Sequence, residues 1–205
     1  CKMKEKTRKI LFIGMFLFFL FLAILVCFHF TEKIDLAVSS LIATFHTPWL
    51  TSIFLFITEF GYIRFLLLFL ILILVWFHQE RFAYLLPIHL AIVTLLNFLL
   101  KQLFARPRPE FSLITETGFS FPSGHAMVTM AFYGYLLYVV VKLVKRKCVR
   151  NSLIVLLVSI IFLVGLSRIY LGVHYVTDVL AGYSISLVYL FLVTKIPFFS
   201  LEETS

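Results

Sequence analysis

Long apolar runs alternate with short polar segments along this chain. A helix needs about 20 residues to cross a hydrocarbon core about 30 Å thick, and fewer where neighbouring helices support it. Six runs come close to this length: residues 10–30, 62–78, 82–100, 126–145, 151–169 and 177–196. The first run lacks a small-residue cleavage site and is long for a signal peptide, so we expect it to be a transmembrane helix that is not cleaved off. The pattern predicts an all-α, polytopic membrane protein with six transmembrane helices.

The segment between the first two runs has a different pattern. Apolar residues recur there at helical spacing while polar residues occupy the other faces, the apolar set being Ile34, Val38, Leu41, Ile42 and Phe45 and the polar set Asp35, Ser39, Ser40 and Thr44. This spacing predicts a short interfacial helix anchored near Trp49. The next stretch, residues 49–60, is too short to span, and we expect it to pack at the membrane surface or to dip partly into it.

Composition supports a membrane protein and a single domain. Hydrophobic residues make up 62% of the 205 positions and charged residues 14%, which leaves too little polar surface for a soluble domain. We therefore expect one integral membrane domain over residues 1–205, with its core at 10–196. The three cysteines share no metal-ligand or disulfide spacing, and no cluster of carboxylates is available for Mg²⁺, so neither a metal nor another cofactor is predicted.

The formal charge of +8 raises the question of a nucleic-acid partner, but the positions of the basic residues argue against one. Ten of the 18 Lys and Arg residues flank apolar runs in two clusters, namely Lys2, Lys4, Lys6, Arg8 and Lys9, and Lys142, Lys145, Arg146, Lys147 and Arg150. With both termini in the cytoplasm, twelve basic residues lie inside and six outside. The positive-inside rule favours this orientation. The expected partners are the bilayer and an amphiphile within it.

Three segments on the predicted outer face hold most of the unusual polar residues. The first runs from Lys101 to Pro109 and contains Arg108; the second is Pro122-Ser123-Gly124-His125; the third contains Ser167-Arg168, His174 and Asp178. Each segment alone has an ordinary structural interpretation, as a snorkelling lysine and a helix-ending loop, as a helix cap, or as an interfacial ion pair. Their common membrane face favours a shared site.

The residue types in these segments suit phosphoryl chemistry. Lys101, Arg108 and Arg168 are cations at a membrane boundary, where an unpaired charge is costly and usually functional, and Arg can bind two phosphate oxygens at once. Backbone N–H groups of Ser123 and Gly124 precede a helix, where they can bind an anion. His174 and Asp178 are four residues apart, so at a helix start the carboxylate can orient the imidazole, and His125 supplies a second group that titrates near neutrality.

The three segments resemble the three-part motif of the type 2 phosphatidic acid phosphatase superfamily. The matching residues are Lys101, Arg108 and Pro109, then Pro122-Ser123-Gly124-His125, then Ser167, Arg168, His174 and Asp178, all in family order and spacing. The resemblance implies that His174 attacks phosphorus, that Asp178 orients it, and that His125 protonates the leaving oxygen and later activates water. It also implies that Lys101, Arg108, Ser123, Gly124 and Arg168 bind the phosphoryl oxygens.

The resemblance further implies a bacterial cell-membrane enzyme that hydrolyses a lipid phosphate through a phosphohistidine. The outward-facing site favours undecaprenyl pyrophosphate as substrate, with phosphatidylglycerol phosphate and phosphatidic acid as alternatives. A lipid phosphotransferase could use the same phosphohistidine and pass the group to an alcohol. A transporter or binding protein for anionic lipids could use the cations alone, but it would need neither two histidines nor the His174–Asp178 pair.

Overall fold

The computed structural model describes residues 5–196, and within this range all regular structure is helical. The helices are α1 (Glu5–Cys27), α2 (Glu32–Ala43), α3 (Pro48–Glu59), α4 (Ile63–Trp76), α5 (Arg81–Phe104), α6 (Gly124–Leu143), α7 (Lys147–Tyr170) and α8 (Val176–Val193). The all-α membrane class predicted from the sequence is confirmed. Lys2 and Lys4 of the N-terminal basic cluster lie outside the described residues.

The second predicted span is the one that differs in detail. Helices α1, α5, α6, α7 and α8 are each long and apolar enough to cross a membrane. By contrast α4 has 14 residues, which at a rise of about 1.5 Å each gives about 21 Å, less than the hydrocarbon core. It meets the length requirement only together with α3, and the two helices are bent by 51° at the break between them. The stretch 49–60 thus continues into the second predicted run across a bend, as in a broken span or a re-entrant segment.

Helices α6 and α8 form the centre of the bundle. These two helices have the largest share of buried residues among the spanning helices. Helix α6 packs against α5, α7 and α8. Large apolar side chains such as Phe21, Leu68 and Phe162 are exposed on the outer helices. A soluble surface does not carry such continuous apolar cover, so these faces contact lipid.

The start of α1 contacts the end of α8. Arg8 Nη2 donates to the carbonyl of Phe191 at 2.8 Å and to Thr194 Oγ1 at 2.6 Å. The last carbonyls of a helix lack N–H donors within it, and a cation there also complements the helix dipole. This contact fixes the first and last described helices against each other at one membrane face.

The opposite face collects the ends of four helices: α5 and α7 end there, and α6 and α8 begin there. After α5 the chain turns through Ala105, whose φ of 45° is left-handed. The connection of residues 105–123 then folds back over the helix ends, where the Ser120 N–H donates to the Arg106 carbonyl at 2.8 Å and the Leu113 N–H donates to the Leu171 carbonyl at 2.9 Å. This arrangement places the polar segments singled out from the sequence in one layer.

Candidate active site

All three predicted segments meet at this face. Lys101, Arg108, His125, Arg168 and His174 are close enough to interact electrostatically with one another. The Ser123 N–H donates to the Asp178 carbonyl at 3.0 Å, which ties the start of α6 to the start of α8. All eight residues predicted from the sequence are therefore brought to a single site.

His174 lies between a carboxylate and a cation. Its Nδ1 is 3.4 Å from Asp178 Oδ2, and its Nε2 is 3.3 Å from Arg108 Nη1, both at the long end of the hydrogen-bond range. A guanidinium can only donate, so Nε2 is the acceptor in the second contact and the ring proton resides on Nδ1. The Nε2 lone pair thus points toward the cations, in the tautomer that a nucleophile requires.

The protonation state of His174 follows from its surroundings. The side chain is 2% exposed. Burial lowers the pKa of the His174 imidazole well below its usual range, and the positive charges of Arg168, Lys101 and Arg108 act in the same direction. The imidazole is therefore neutral at physiological pH, with its lone pair available.

Arg108 and Lys101 hydrogen-bond to backbone carbonyls rather than to carboxylates. Arg108 donates to the carbonyls of Gly118, Val173 and Thr117 at 3.0, 2.9 and 2.9 Å. Lys101 Nζ donates to the Phe119 carbonyl at 2.6 Å. These bonds fix the two side chains without neutralising their charge, so they attract an anion to the site.

Arg168 is held differently, by Thr58 and Glu116. Its Nη1 donates to Thr58 Oγ1 at 2.7 Å and its Nη2 to Glu116 Oε1 at 2.5 Å, and the side chain is fully buried. Its Nε has no partner among the described residues. Glu116 also accepts from Tyr62 Oη at 3.0 Å. Burial alone would raise the pKa of the Glu116 carboxyl, but Arg168 and these hydrogen bonds outweigh it and lower the pKa below its usual value. Glu116 is thus an anion bound to Arg168.

His125 packs in a narrow space at the break between α3 and α4. The Tyr62 ring meets the His125 ring edge-on, with centroids 4.5 Å apart. A Cβ on Gly61 would lie 2.7 Å from His125 Cδ2, so only glycine fits without a shift. The buried Nε2 of His125 has no hydrogen-bond partner in the described part of the chain. A buried nitrogen of this kind is available to a reacting group.

The start of α6 departs from the expectation for Ser123. Ser123 is the N-cap residue, and its N–H already donates to Asp178, so this N–H is not available to an anion. The reason is that α6 and α8 begin side by side. The hydroxyl hydrogen of Ser123 and the N–H of Gly124 at the first helical position remain suited to anion binding.

Asp35 and Arg106 were not among the predicted site residues. The spacing placed Asp35 away from the apolar stripe of α2, but its side chain is fully buried and bonded to Arg106, while Ile34, Leu41 and Phe45 are exposed. Asp35 shares its face with Val38 and Ile42, which pack on the core. The sequence did contain one signal. Asp35 lies three residues before Val38 and so on the same face of α2, and a charged residue on a buried face needs a partner inside the protein.

Comparisons with known proteins agree with the motif. The model of the PAP2 superfamily matches residues 82–202. Phosphatidylglycerophosphatase B of Bacillus subtilis (strain 168) is 36% identical over 186 residues, which cover 88% of this chain and 92% of that protein.

Two solved structures are also similar. The crystal structure of the first transmembrane PAP2 type phosphatidylglycerolphosphate phosphatase from Bacillus subtilis matches with a TM-score of 0.85 and 34% identity, over 95% of this chain and 98% of that one. The crystal structure of Aquifex aeolicus LpxE matches with a TM-score of 0.61 and 26% identity, over 77% of this chain and 93% of that one. On the strength of the family match and of the relatives' coverage, this chain belongs to the PAP2 superfamily and is a bacterial membrane enzyme, a lipid phosphatase of the PAP2 type.

Proposed function

We propose that this enzyme removes the terminal phosphate of a membrane lipid through a phosphohistidine formed on His174. The observation that carries the proposal is the position of the imidazole, with Nδ1 toward Asp178 and Nε2 toward Arg108. The Nε2 lone pair forms the bond to phosphorus while the bond from phosphorus to the lipid oxygen breaks. The ring then carries a positive charge, which the Asp178 carboxylate stabilises.

His125 serves as the proton donor and then as the base. In the first step its ring, whose protonated form is favoured by the negative charge of the bound phosphate, gives a proton to the leaving lipid oxygen. In the second step the neutral ring takes a proton from water, the oxygen of that water attacks phosphorus, and the N–P electron pair returns to His174. The unpartnered Nε2 of His125 supports this role, since no protein group competes for its proton.

The cations bind and stabilise the transferred group. Lys101 and Arg108 contribute two charges without a carboxylate partner, and Arg168 has donors to spare, because a guanidinium carries five N–H groups and two of its hydrogen bonds are to protein. The charge on a phosphate monoester is about −1.5 to −2 at neutral pH, which matches such a site. Within residues 5–196 no group of three His, Cys, Asp or Glu could hold a metal ion. The cations supply the stabilisation that Mg²⁺ provides in other phosphoryl-transfer enzymes.

Phosphatidylglycerol phosphate is the first substrate to test, because the relative that shares 36% identity is named for it. Undecaprenyl pyrophosphate and phosphatidic acid offer the same chemistry and complete the panel. The lipid tail stays in the bilayer while the head group reaches the helix ends. The excess of basic residues on the opposite face supports an active site outside the cytoplasm, with both termini inside.

The test is phosphate release by purified enzyme in detergent micelles. Each lipid of the panel is supplied in turn, with excess EDTA and with or without glycerol as an acceptor alcohol. We expect release of inorganic phosphate in EDTA, none from His174→Ala, and normal release from Arg64→Gln, since the exposed Arg64 side chain contacts only Glu59 and the outer face of the Tyr62 ring in the described part of the chain. Activity that depends on added metal, or phosphate that passes to glycerol instead of water, would overturn the proposal.

A further inference from the structure

The start of α8, which carries Asp178, is capped by a residue of α2. Asp35 Oδ1 accepts from the Thr177 N–H at 3.2 Å, and Asp35 Oδ2 accepts from Thr177 Oγ1 at 2.7 Å. The first N–H groups of a helix have no acceptor within it, and a negative charge there is favourable. Residues 142 positions apart in sequence thus form the N-terminus of the helix on which Asp178 lies.

Arg106 joins this cap to Asp178. Its Nη2 donates to Asp35 Oδ2 at 2.7 Å and its Nη1 donates to Asp178 Oδ1 at 2.6 Å. Nη1 also donates to Thr177 Oγ1 at 2.8 Å, and the guanidinium lies over the Tyr175 ring, 4.2 Å from its centroid. In the described part of the chain, Asp35 and Asp178 are the two acidic residues that are fully buried. Arg106 is the cation that both of them contact.

These bonds determine which oxygen of Asp178 faces His174. Oδ1 is bound by Arg106, and Oδ2 accepts from the Tyr175 N–H at 2.9 Å. With both oxygens held, the carboxylate cannot rotate, and Oδ2 remains beside His174 Nδ1. Among the described residues, Arg106 and Asp35 form no hydrogen bond or ion pair with His174 or with the cations that face its Nε2.

We propose that Asp35 and Arg106 are positioning residues of the reaction, acting through Asp178. The inference rests on the function proposed above. Arg106 keeps the buried Asp178 carboxylate charged and oriented, and Asp35 holds Arg106 in place while it caps α8. Loss of either residue leaves the phosphate-binding cations in place, so the chemical step slows while substrate binding is kept.

This role predicts a division between kcat and KM. Asp35→Asn keeps the shape of the side chain and removes its charge, and Arg106→Gln removes the bridge. We expect kcat to fall about tenfold or more in each, less than the ~10⁴-fold loss seen when a carboxylate of this kind is replaced outright. KM should stay within about twofold, because the lost interaction acts on the transition state.

A double-mutant cycle separates positioning from general damage to the fold. Arg106→Gln is combined with Asp178→Asn, and kcat is measured for both single variants and for the pair. If Arg106 acts through Asp178, the pair should be within about threefold of Asp178→Asn alone. An independent structural defect would instead multiply the two losses. Arg64→Gln, which breaks the exposed Glu59 pair on the same face, is the matched control and should retain wild-type kcat.

Chemical rescue supplies a measurement that survives a destabilised variant. A cavity of about 270 Å³ adjoins Arg106, Tyr175 and His29. In Arg106→Ala this cavity extends to the two carboxylates, so guanidinium ions at millimolar concentration should enter and raise kcat at least severalfold. Denaturation by guanidinium would lower activity, so a rise reports a restored bridge. The same ions should not raise the kcat of Asp178→Asn.

The outcomes distinguish this inference from the proposed function. If wild-type enzyme releases no phosphate from any lipid, the proposed function fails. If wild-type enzyme is active but Asp35→Asn and Arg106→Gln retain full kcat, the positioning role is wrong. It is also wrong if the two losses multiply in the cycle and guanidinium gives no rescue. Reduced kcat with unchanged KM, a non-additive cycle and guanidinium rescue together establish it.

Discussion

Arg108 Nη1 lies 3.3 Å from His174 Nε2, at the atom that would bind phosphorus. In the proposed mechanism this contact ends when the lone pair of Nε2 attacks, and the guanidinium then has a donor free for a phosphoryl oxygen. The two events occur at one place, so the departure of Arg108 from His174 coincides with the arrival of the phosphate.

The two histidines should fail in different ways. His174→Ala removes the attacking nitrogen and should abolish both phosphate release and any acid-labile phosphoenzyme. In His125→Ala, His174 should still attack a substrate with a good leaving group, because such a group needs less protonation. The phosphoenzyme should then accumulate, because no base is present to activate the water that hydrolyses it. Rapid acid quench with labelled phosphate measures both. Label trapped on His174→Ala would mean that another residue attacks phosphorus.

Gly61→Ala should damage catalysis through His125. The added Cβ would lie 2.7 Å from His125 Cδ2 and 2.7 Å from Val164 Cγ1, so the ring must move. Displacement of a reacting group by about 1 Å can cost up to about 10²-fold in rate. We expect kcat to fall with little change in KM, measured with a lipid phosphate in micelles. Gly14→Ala is the matched control, because no atom lies within 4 Å of its Cβ position.

Glu116→Gln should make the enzyme bind anions more tightly. Glu116 occupies Arg168 in the absence of substrate, so it competes with the phosphate for that guanidinium. Glutamine keeps an acceptor oxygen but removes the charge. A hydrogen bond to a charged group is worth about 1.5 kcal/mol or more, so the inhibition constant for vanadate should fall about tenfold. Glu59→Gln is the control, since Glu59 pairs with the exposed Arg64. Weaker vanadate binding by Glu116→Gln would show that Glu116 only orients Arg168.

The acid side of the pH profile should reflect the lowered pKa of His174. Burial and the neighbouring cations lower this pKa, so the neutral, reactive imidazole persists as the pH falls through about 6.5, the usual pKa of histidine. The enzyme's own acid limb in kcat/KM should therefore lie below about pH 6.5. The second ionisation of the substrate, near pH 6, is measured separately by ³¹P NMR and factored out. A remaining limb at or above pH 6.5 that is due to His174 would contradict the neutral state.

Two cysteines that are exposed in the described part of the chain, Cys27 and Cys148, provide a test of orientation. Cys27 ends α1 at the face of the active site, and Cys148 lies near the start of α7 at the opposite face. Two single-cysteine proteins are compared in intact cells, one with Cys1→Ser and Cys148→Ser, the other with Cys1→Ser and Cys27→Ser. An impermeant maleimide should label Cys27 in intact cells and Cys148 only after permeabilisation. The reverse pattern would place the active site in the cytoplasm.

The sequence predicted the helices that span the membrane because bilayer thickness fixes the length of an apolar run. It singled out residues that the structure brings to one face, because cations and histidines at a membrane boundary are costly unless they are paired or functional; their roles in catalysis stay a prediction. Hydropathy could not separate protein-facing from lipid-facing sides, since both are apolar. For that reason the buried face of α2, with Asp35, was missed. The sequence did separate the stretch 49–60 from the run that begins at residue 62, but it did not show that the helix of this run has only 14 residues and is too short to span alone.

The two ends of α8 are held by the beginning of the chain, at the start by Asp35 and at the end by Arg8. Synthesis proceeds from the N-terminus. Helix α8 is therefore made after α1 and α2, which carry Arg8 and Asp35. Helix α8 therefore packs against Arg8 and Asp35 of helices that were synthesised before it. An incomplete chain therefore already contains Asp35 and Arg106 but lacks His174 and Asp178, so under the proposed mechanism it cannot hydrolyse a lipid phosphate.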